Sequence, residues 1–208
     1  MLTLEHFQDW YSRRDALKKL PRRPLVLLAA AWAYRTLPIF ERQYPDDNRP
    51  RQAIAASTQW AAERTEDNQQ KARNAANAAY YAAYYAATAA ASAAASAAYY
   101  AATAAASAAY AANAAANAAD YNADADIWPW LYETYQCCLG EGREWSPEWT
   151  TPETVAIARK CILELDKGDL PYLADALEDA GYPHEADLER LRSGRCEWSD
   201  WCVWNVLC

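Results

Sequence analysis

The amino-acid sequence predicts an all-α fold: a helical bundle with a central alanine-rich helical segment, plus a small C-terminal helical module. Residues 72–119 contain 31 alanines in 48 positions and neither Gly nor Pro, and alanine has the highest intrinsic helix propensity. The whole chain of 208 residues has only five Gly, which disfavours the tight turns that a β-rich fold needs. These two observations predict helices throughout the chain.

The N-terminal region is predicted to form three amphipathic helices, because its apolar residues recur at helical spacing between proline-containing segments. The first helix is expected over residues 4–20 and the second over residues 25–44. Pro38 is expected to kink or end the second helix, since proline removes a backbone hydrogen bond. The third helix is expected over residues 51–64, with Ile54 and Trp60 as large apolar contacts. Asp47 or Asn48 is expected to cap it, and Pro50 suits its first turn.

Within the alanine-rich segment, the non-alanine residues form one regular series. Twelve steps cover 44 residues, a mean near 3.67, which is an eleven-residue period that keeps one stripe on one helix face. The remaining faces are almost bare alanine and allow close helix approach, so we expect the segment at the centre of the bundle. The stripe consists of Arg73, Asn77, Tyr81, Tyr84, Thr88, Ser92, Ser96, Tyr99, Thr103, Ser107, Tyr110, Asn113 and Asn117.

The length of this segment conflicts with a compact domain. A single helix of that length would extend about 72 Å, whereas a compact chain of this size has a radius of gyration of about 17 Å. We therefore expect the segment to break into two or three helices rather than to form an elongated molecule. The candidate break points are the aromatic pairs Tyr84–Tyr85 and Tyr99–Tyr100.

The C-terminal part of the chain is predicted to be a separate helical module. The Thr151-Pro152 pair is a helix start, with Thr as the cap and Pro in the first turn. Further helices are expected over residues 170–180, ended by Gly181, and over residues 185–192. The sequence thus predicts a bundle over residues 1–135, a connector over residues 136–150 and a module over residues 151–208.

The net charge of the chain limits the classes of partner that it can bind. A formal net charge of −8 disfavours nucleic acid and anionic membranes, which carry the same sign. It fits a protein partner, including a basic one, and leaves homo-oligomers open. The longest apolar stretch is too short to span a bilayer and resembles no targeting segment. A cytoplasmic location is therefore expected, with the six cysteines as free thiols.

No pattern in the sequence points to catalysis or to a cofactor. The two histidines, His6 and His184, are isolated, and no glycine-rich phosphate loop is present. The cysteines lack the paired spacing of a structural zinc site. The sequence therefore predicts no catalytic residues, no metal and no cofactor, and favours a protein that acts by binding. An enzyme of unrecognised type is the remaining alternative, which a concave pocket with two or more convergent titratable groups would favour.

The most specific motif lies between the second and third predicted helices. The run Leu37-Pro38-Ile39-Phe40-Glu41-Arg42-Gln43-Tyr44-Pro45-Asp46-Asp47-Asn48-Arg49-Pro50-Arg51-Gln52-Ala53-Ile54 precedes a helix and then the long alanine-rich stretch. This order, over residues 25–135, resembles a bacterial immunity protein family associated with polymorphic-toxin systems. The resemblance implies a helical protein that binds a cognate toxin and blocks it. The family commonly carries His in its alanine-rich helices, where this chain has Tyr, Ser, Thr and Asn.

Two further parts of the sequence resemble known proteins but indicate less about function. The run from Leu170 to Gly181 is similar to a short helical module at the C-termini of many bacterial proteins, for which the sequence indicates no function. The eleven-residue stripe resembles that of alanine-rich antifreeze proteins, although large tyrosines interrupt it. The alternative function is therefore an alanine-rich structural or self-assembling scaffold, with an ice-binding surface as a variant.

The sequence favours an immunity-type protein that neutralises a toxin by direct binding and steric occlusion. Acidic residues would steer a basic partner, and Trp and Tyr are the usual anchors of protein interfaces. The C-terminal tryptophans share a helix face at steps of three residues, which fits either a partner surface or packing on the protein's own core. The exposed members of this set are the predicted contacts: Asp46, Asp47, Arg49, Tyr84, Tyr85, Trp198, Trp201 and Trp204.

Overall fold

The computed structural model describes residues 3–86, 88–107, 111–120, 128–139, 144–194, 197–198 and 200–207. Its regular elements over these residues are helices, so the predicted all-α fold is confirmed. The chain divides into two compact units, Met1–Glu133 and Thr134–Cys208. None of the described helices combines the length and the apolar character that a membrane crossing requires.

The first unit is a bundle in which four of the described helices begin at a side-chain cap, namely Thr3, Asp9, Thr65 and Thr88. For example, the Thr65 and Thr88 side chains accept hydrogen bonds from backbone N–H groups of the first turns that follow them. The helices are α1 Leu4–Gln8, α2 Trp10–Leu17, α3 Arg22–Gln43, α4 Arg49–Ala62, α5 Glu66–Tyr85, α6 Ala89–Ala106, α7 Ala111–Asp120 and α8 Trp128–Leu139. The division between the two units falls within α8.

One boundary in the N-terminal region differs from the prediction, and of the two effects expected of Pro38 the end of the helix does not occur. The expected helix over residues 4–20 is divided at Asp9, whose carboxylate accepts a hydrogen bond from Ser12 N at 2.8 Å and thereby caps α2. Pro38 does not end α3, which continues to Gln43. Pro38 itself is exposed, whereas Leu37 and Phe40 are buried, so packing of the buried face holds the helix together beyond the proline.

The alanine-rich segment forms three helices, as its length required. The first break follows Tyr85, at one of the two predicted points, and Thr88 caps the next helix. The second predicted break, at Tyr99–Tyr100, is wrong because both residues lie inside α6. That helix instead ends before Ser107, whose backbone is extended. An aromatic pair does not break a helix when alanine favours its continuation on both sides.

Helix α6 occupies the centre of the first unit and packs against α3, α4, α5 and α7. Nine of its alanines are essentially inaccessible to solvent, and their short side chains allow the surrounding helices to approach closely. This confirms the central position predicted for the alanine-rich segment. The nine are Ala91, Ala94, Ala95, Ala97, Ala98, Ala101, Ala102, Ala104 and Ala105.

The polar stripe does not form one continuous exposed face. It is divided among α5, α6 and α7, and its members Ser92, Ser96 and Thr103 on α6 are half-buried. The Ser92 hydroxyl donates to the Ala83 carbonyl of α5 at 2.9 Å, so part of the stripe joins two helices of the bundle. A flat, repetitive surface for self-assembly or ice binding requires an exposed and continuous stripe, and this arrangement counts against it.

After the end of α8, the described residues of the second unit form a short 3₁₀ helix, Pro147–Trp149, and the helices α9 Pro152–Glu164, α10 Leu170–Asp179, α11 Glu185–Arg192 and α12 Trp201–Val206. A capping box between Thr151 and Thr154 starts α9 as the sequence predicts. After α10, Gly181 adopts a φ of 80°, a left-handed conformation that glycine reaches without strain.

Buried polar groups join the helices of the second unit. The Tyr182 hydroxyl donates to the Asp187 carboxylate at 2.6 Å, and the Arg190 guanidinium lies 2.8 Å from Asp187 and 3.0 Å from Asp200. Burial raises the pKa of Tyr182, so this side chain stays a hydrogen-bond donor at neutral pH. The ion pairs connect α11 to Asp200, which caps α12 through Cys202 N at 2.9 Å.

Candidate functional site

Residues 44–48 form the loop between α3 and α4, within the sequence motif, and ion pairs on either side of it fix its shape. The Arg49 guanidinium donates to both carboxylate oxygens of Asp47, at 2.8 and 2.6 Å, and Arg49 N donates to the same carboxylate at 3.2 Å. Two residues further, Arg51 makes a bidentate pair with Glu41 at 2.6 and 2.8 Å. These bonds tie the start of α4 to the end of α3 and fix the shape of the loop.

The predicted helix cap in this loop is shared between two residues. Asn48 occupies the cap position of α4 but makes no side-chain cap bond, whereas the Asp47 carboxylate accepts the first N–H of the helix. Pro50 lies in the first turn, as predicted. The hydrogen bonds from Arg49 lower the pKa of Asp47, so the carboxylate stays ionised at neutral pH. Asp46, its neighbour, is exposed.

The structure brings this loop together with the end of α5. A cavity of about 70 Å³ lies between them. Three predicted contact residues, Asp47, Arg49 and Tyr85, therefore border one small cleft, although about 36 residues separate Arg49 from Tyr85 in the sequence. The cavity is lined by Phe40, Tyr44, Asp47, Arg49, Ala82, Tyr85 and Ala86.

Four tyrosines project from two successive turns of α5 next to this cleft. Tyr84 and Tyr85 are 71% and 70% exposed, and Tyr80 and Tyr81 are 51% and 54% exposed. The rings of each adjacent pair meet edge to face, with centroids 5.8 Å apart for Tyr80–Tyr81 and 5.1 Å for Tyr84–Tyr85. We call these four residues the tyrosine surface.

The set of contacts predicted from the sequence does not include Tyr80 and Tyr81, which the structure exposes beside Tyr84 and Tyr85. The pattern Tyr-Tyr-Ala-Ala-Tyr-Tyr holds the necessary signal, because residues four apart lie on the same helix face. The two intervening alanines, Ala82 and Ala83, are buried against α6. The small residues thus face the bundle and the large rings face solvent, which reverses the usual amphipathic arrangement.

The C-terminal tryptophans are not part of an exposed surface. Trp198, Trp201 and Trp204 are only 1%, 4% and 9% exposed. The Trp201 ring packs on Trp145 with centroids 5.3 Å apart, and the Trp204 N–H donates to the Cys138 carbonyl at 3.2 Å. The predicted common helix face is wrong for Trp198, which precedes α12, whereas Trp201 and Trp204 lie on that helix. Because all three rings are buried, they are no longer candidate contacts.

The described cysteines are free thiols: Cys137, Cys138, Cys161 and Cys202. Cys196 and Cys208 lie outside the described residues. Burial raises the pKa of Cys138 and Cys202, and raises that of Cys161 to about 12. In the described part of the chain, no three His, Cys, Asp or Glu side chains are grouped as metal ligands would be.

Buried thiols of raised pKa should react slowly, because the thiolate is the nucleophile. We expect Cys138, Cys161 and Cys202 of the native protein to resist iodoacetamide near neutral pH and to react fully in urea. Alkylation followed by peptide mass spectrometry measures each cysteine separately. The half-buried Cys137 is the internal reference, and native labelling of the three buried thiols at the rate seen in urea would contradict their burial.

The ion pair of Asp47 should make the stability of the loop depend on pH. Because Arg49 lowers the folded-state pKa of Asp47 below its ordinary 3.8, the stabilisation is present above pH 3.8 and is lost as the pH falls through the folded-state pKa. We expect Asp47→Asn to lower the free energy of unfolding by about 1 kcal/mol at neutral pH. In urea denaturation, the difference from wild type should shrink below pH 3.8.

The exposed neighbour supplies the matched control for this prediction. Asp46→Asn removes the same charge from the same loop, and it should change the stability by less than about 0.5 kcal/mol. Equal losses for the two variants, or a loss for Asp47→Asn that stays constant through acid pH, would show that the Arg49 pair does not stabilise the loop.

The fold and the exposed residues define an alanine-rich all-α bundle that displays a tyrosine surface beside an ion-paired loop. Residues 15–127 match the family described as Imm-5 like putative immunity protein, and the chain belongs to this family. The match covers more than half of the chain and includes the whole loop and all four tyrosines. The family predicted from the motif is thereby confirmed. Neither a curated protein nor a solved structure is significantly similar to the chain.

Proposed function

We propose that this protein acts in the cytoplasm as an immunity protein, and that it neutralises a cognate toxin by binding it directly through the tyrosine surface. Membership of an immunity protein family supports an immunity role and a toxin as the partner. Neutralisation by steric occlusion, without a catalytic step by this chain, is the simplest mechanism for a protein whose exposed features are aromatic rings and an ion-paired loop.

The single observation that carries this proposal is the exposure of four tyrosines on adjacent turns of one helix. Tyrosine is enriched among the residues that dominate binding energy, because it buries a large ring and retains a polar hydroxyl. Soluble proteins do not usually group large aromatic rings on an exposed helix face unless the face binds something. Half of the large apolar side chains exposed in the described residues lie in this group.

The charge of the protein supports a basic partner. The formal net charge is −8, and the exposed Asp46 lies in the loop that borders Tyr85. A negative field accelerates the encounter with a positively charged toxin and selects against acidic partners. In this proposal the acidic residues set the association rate, whereas the tyrosines supply most of the binding free energy.

Affinity capture from the native cells tests the proposal in two stages. The tagged protein should retain one other protein in stoichiometric amount, identified by mass spectrometry. That protein should be toxic when it is expressed alone, and co-expression of this chain should relieve the toxicity. A captured protein whose toxicity persists under co-expression would exclude the proposed function. Recovery of this chain alone as a large homo-oligomer would favour the scaffold alternative.

A further inference from the structure

A second cleft of the first unit lies between the start of α3, the first half of α5 and the end of α6. Its volume is about 510 Å³, which falls within the range of small-molecule sites. It is distinct from the tyrosine surface, although the ring contact between Tyr80 and Tyr99, at 5.7 Å, connects the two regions. Its lining consists of Arg22, Gln69, Arg73, Ala76, Asn77, Tyr99, Thr103, Ala106 and Ser107.

Arg22 is held rigidly at one wall of this cleft. Its guanidinium stacks on the Trp60 ring, 4.2 Å from the centroid, and its Nε donates to the Ala104 carbonyl at 3.3 Å. A second bond joins its Nη2 to the Ala105 carbonyl. These contacts use two of the five guanidinium N–H groups and leave the others for a further acceptor. They also fix the direction of the guanidinium fork before any ligand binds.

Arg73 supplies a second guanidinium, from α5. Among the described residues its one side-chain hydrogen bond is to the Gln70 side-chain oxygen, at 2.8 Å, and no carboxylate of the described chain pairs with it or with Arg22. This differs from Arg13, Arg49 and Arg51 of the same unit, each of which pairs with a carboxylate. Two arginines that share a cleft without a carboxylate are unusual in a chain with a net charge of −8.

The other described lining residues leave this positive charge uncompensated. They are neutral, and they supply amide and hydroxyl groups together with the Tyr99 ring. The carbonyls at the end of α6 already accept hydrogen bonds, since Gln69 donates to Ala106 at 2.8 Å. The acidic residues of α5, Glu66 and Asp67, lie in its first turn outside the lining, and Asp67 pairs with Lys71 at 2.7 Å.

We propose that this cleft is an anion-binding site that takes the carboxylate or phosphate group of a small organic molecule. Arginine pairs with both groups through two parallel hydrogen bonds, and two guanidinium groups can bind different oxygens of one anion. The neutral amides and hydroxyls provide further polar contacts, and the Tyr99 ring provides an apolar wall for the body of the ligand. The volume exceeds that of a lone oxyanion, so a molecule of several carbon atoms fits better.

Titration of the purified protein tests the site without any partner. Sodium phosphate and sodium citrate, added at constant ionic strength, should each produce saturable binding heat in calorimetry. Arg73→Ala should weaken that binding by about tenfold or more, because it removes one charge-assisted pair. Arg73 is exposed and is not expected to affect folding, whereas Arg22 supports the end of α6 and is left unchanged.

Arg159→Ala is the matched control for this titration. It removes the same charge from an exposed position on α9 of the second unit, and it should leave the affinities unchanged. The absence of saturable binding of both anions to the wild-type protein would overturn the proposal. An equal weakening by Arg73→Ala and Arg159→Ala would overturn it too, because it would mean that only the net charge matters.

A competition experiment distinguishes the source of the anion. If phosphate or citrate displaces the protein captured from cells, the cleft receives an acidic side chain of that partner. If either anion binds and the partner stays bound, the cleft receives a free small molecule. The first outcome would overturn the assignment to a small organic molecule, and the second would support it. Because the titration uses this chain alone, failure of the proposed immunity function would not affect its result.

Discussion

Replacing Tyr84 and Tyr85 together by alanine is expected to weaken the binding of the cognate toxin by about 100-fold. An interface tyrosine that acts as an anchor contributes about 2 kcal/mol or more, and every ~1.4 kcal/mol changes affinity tenfold. The two rings contact each other at 5.1 Å, so their effects are not expected to add fully. Calorimetry or surface plasmon resonance with the captured partner gives the dissociation constants.

Folding should survive this double substitution. Both side chains are about 70% exposed, and alanine favours helix more than tyrosine does. The melting temperature and the far-UV circular dichroism of the variant should therefore match those of the wild type. A loss of toxin binding without a loss of structure assigns the effect to the interface itself.

A single exposed tyrosine elsewhere provides the matched control. Tyr172 on α10 is 63% exposed and lies outside the residues matched by the immunity family. Tyr172→Ala should leave the affinity for the toxin unchanged. If the double variant binds as tightly as the wild type, or if Tyr172→Ala weakens binding equally, the tyrosine surface is not the toxin-binding site.

Replacing Arg13 by alanine is expected to destabilise the protein by about 3–5 kcal/mol. The Arg13 side chain is fully buried, and it donates to the carbonyls of Phe7 at 2.8 Å, Gln8 at 3.1 Å and Ala116 at 3.3 Å. It also pairs with the Asp120 carboxylate. The variant loses these bonds, leaves buried carbonyls without donors and separates α1 and α2 from the end of α7.

The ion pair alone does not explain this effect. Burial lowers the pKa of Arg13 and raises the pKa of Asp120, so desolvation outweighs the mutual attraction at both groups. The stability therefore depends on Arg13 as a hydrogen-bond donor to three backbone carbonyls and as a cation stacked 4.9 Å from the Trp128 ring. Removing Asp120, which is 42% exposed, should cost less than removing Arg13.

Arg51→Ala is the matched control for the Arg13 prediction. Arg51 makes a bidentate pair with Glu41, but its side chain is 49% exposed, and such surface pairs contribute about 0–1 kcal/mol. Urea denaturation followed by circular dichroism compares the two variants. Similar small losses for Arg13→Ala and Arg51→Ala would show that burial of Arg13 does not determine its contribution.

The candidate site could be predicted only in part from the sequence. The motif pointed to Asp47 and Arg49, and the aromatic composition pointed to Tyr85, but nothing local indicated that these residues border one cavity. Their meeting depends on how the end of α5 packs near the end of α3 and the start of α4. The sequence also did not indicate the two arginines without a carboxylate partner as a site, because Arg22 and Arg73 lie about 51 residues apart.

Local physical chemistry allowed the sequence by itself to determine the all-α class, the helix starts marked by Thr151 and Pro50, the family and the need to divide the alanine-rich segment. Helix propensity and capping depend on a few neighbouring residues, and glycine scarcity is a property of the composition, so all three can be predicted from the sequence. The tertiary structure alone decided that α6 ends before Ser107, that the three C-terminal tryptophans are buried and that the tyrosine surface is exposed. Burial depends on which distant helices cover a side chain, and an aromatic residue at helical spacing suits a core and an interface equally well.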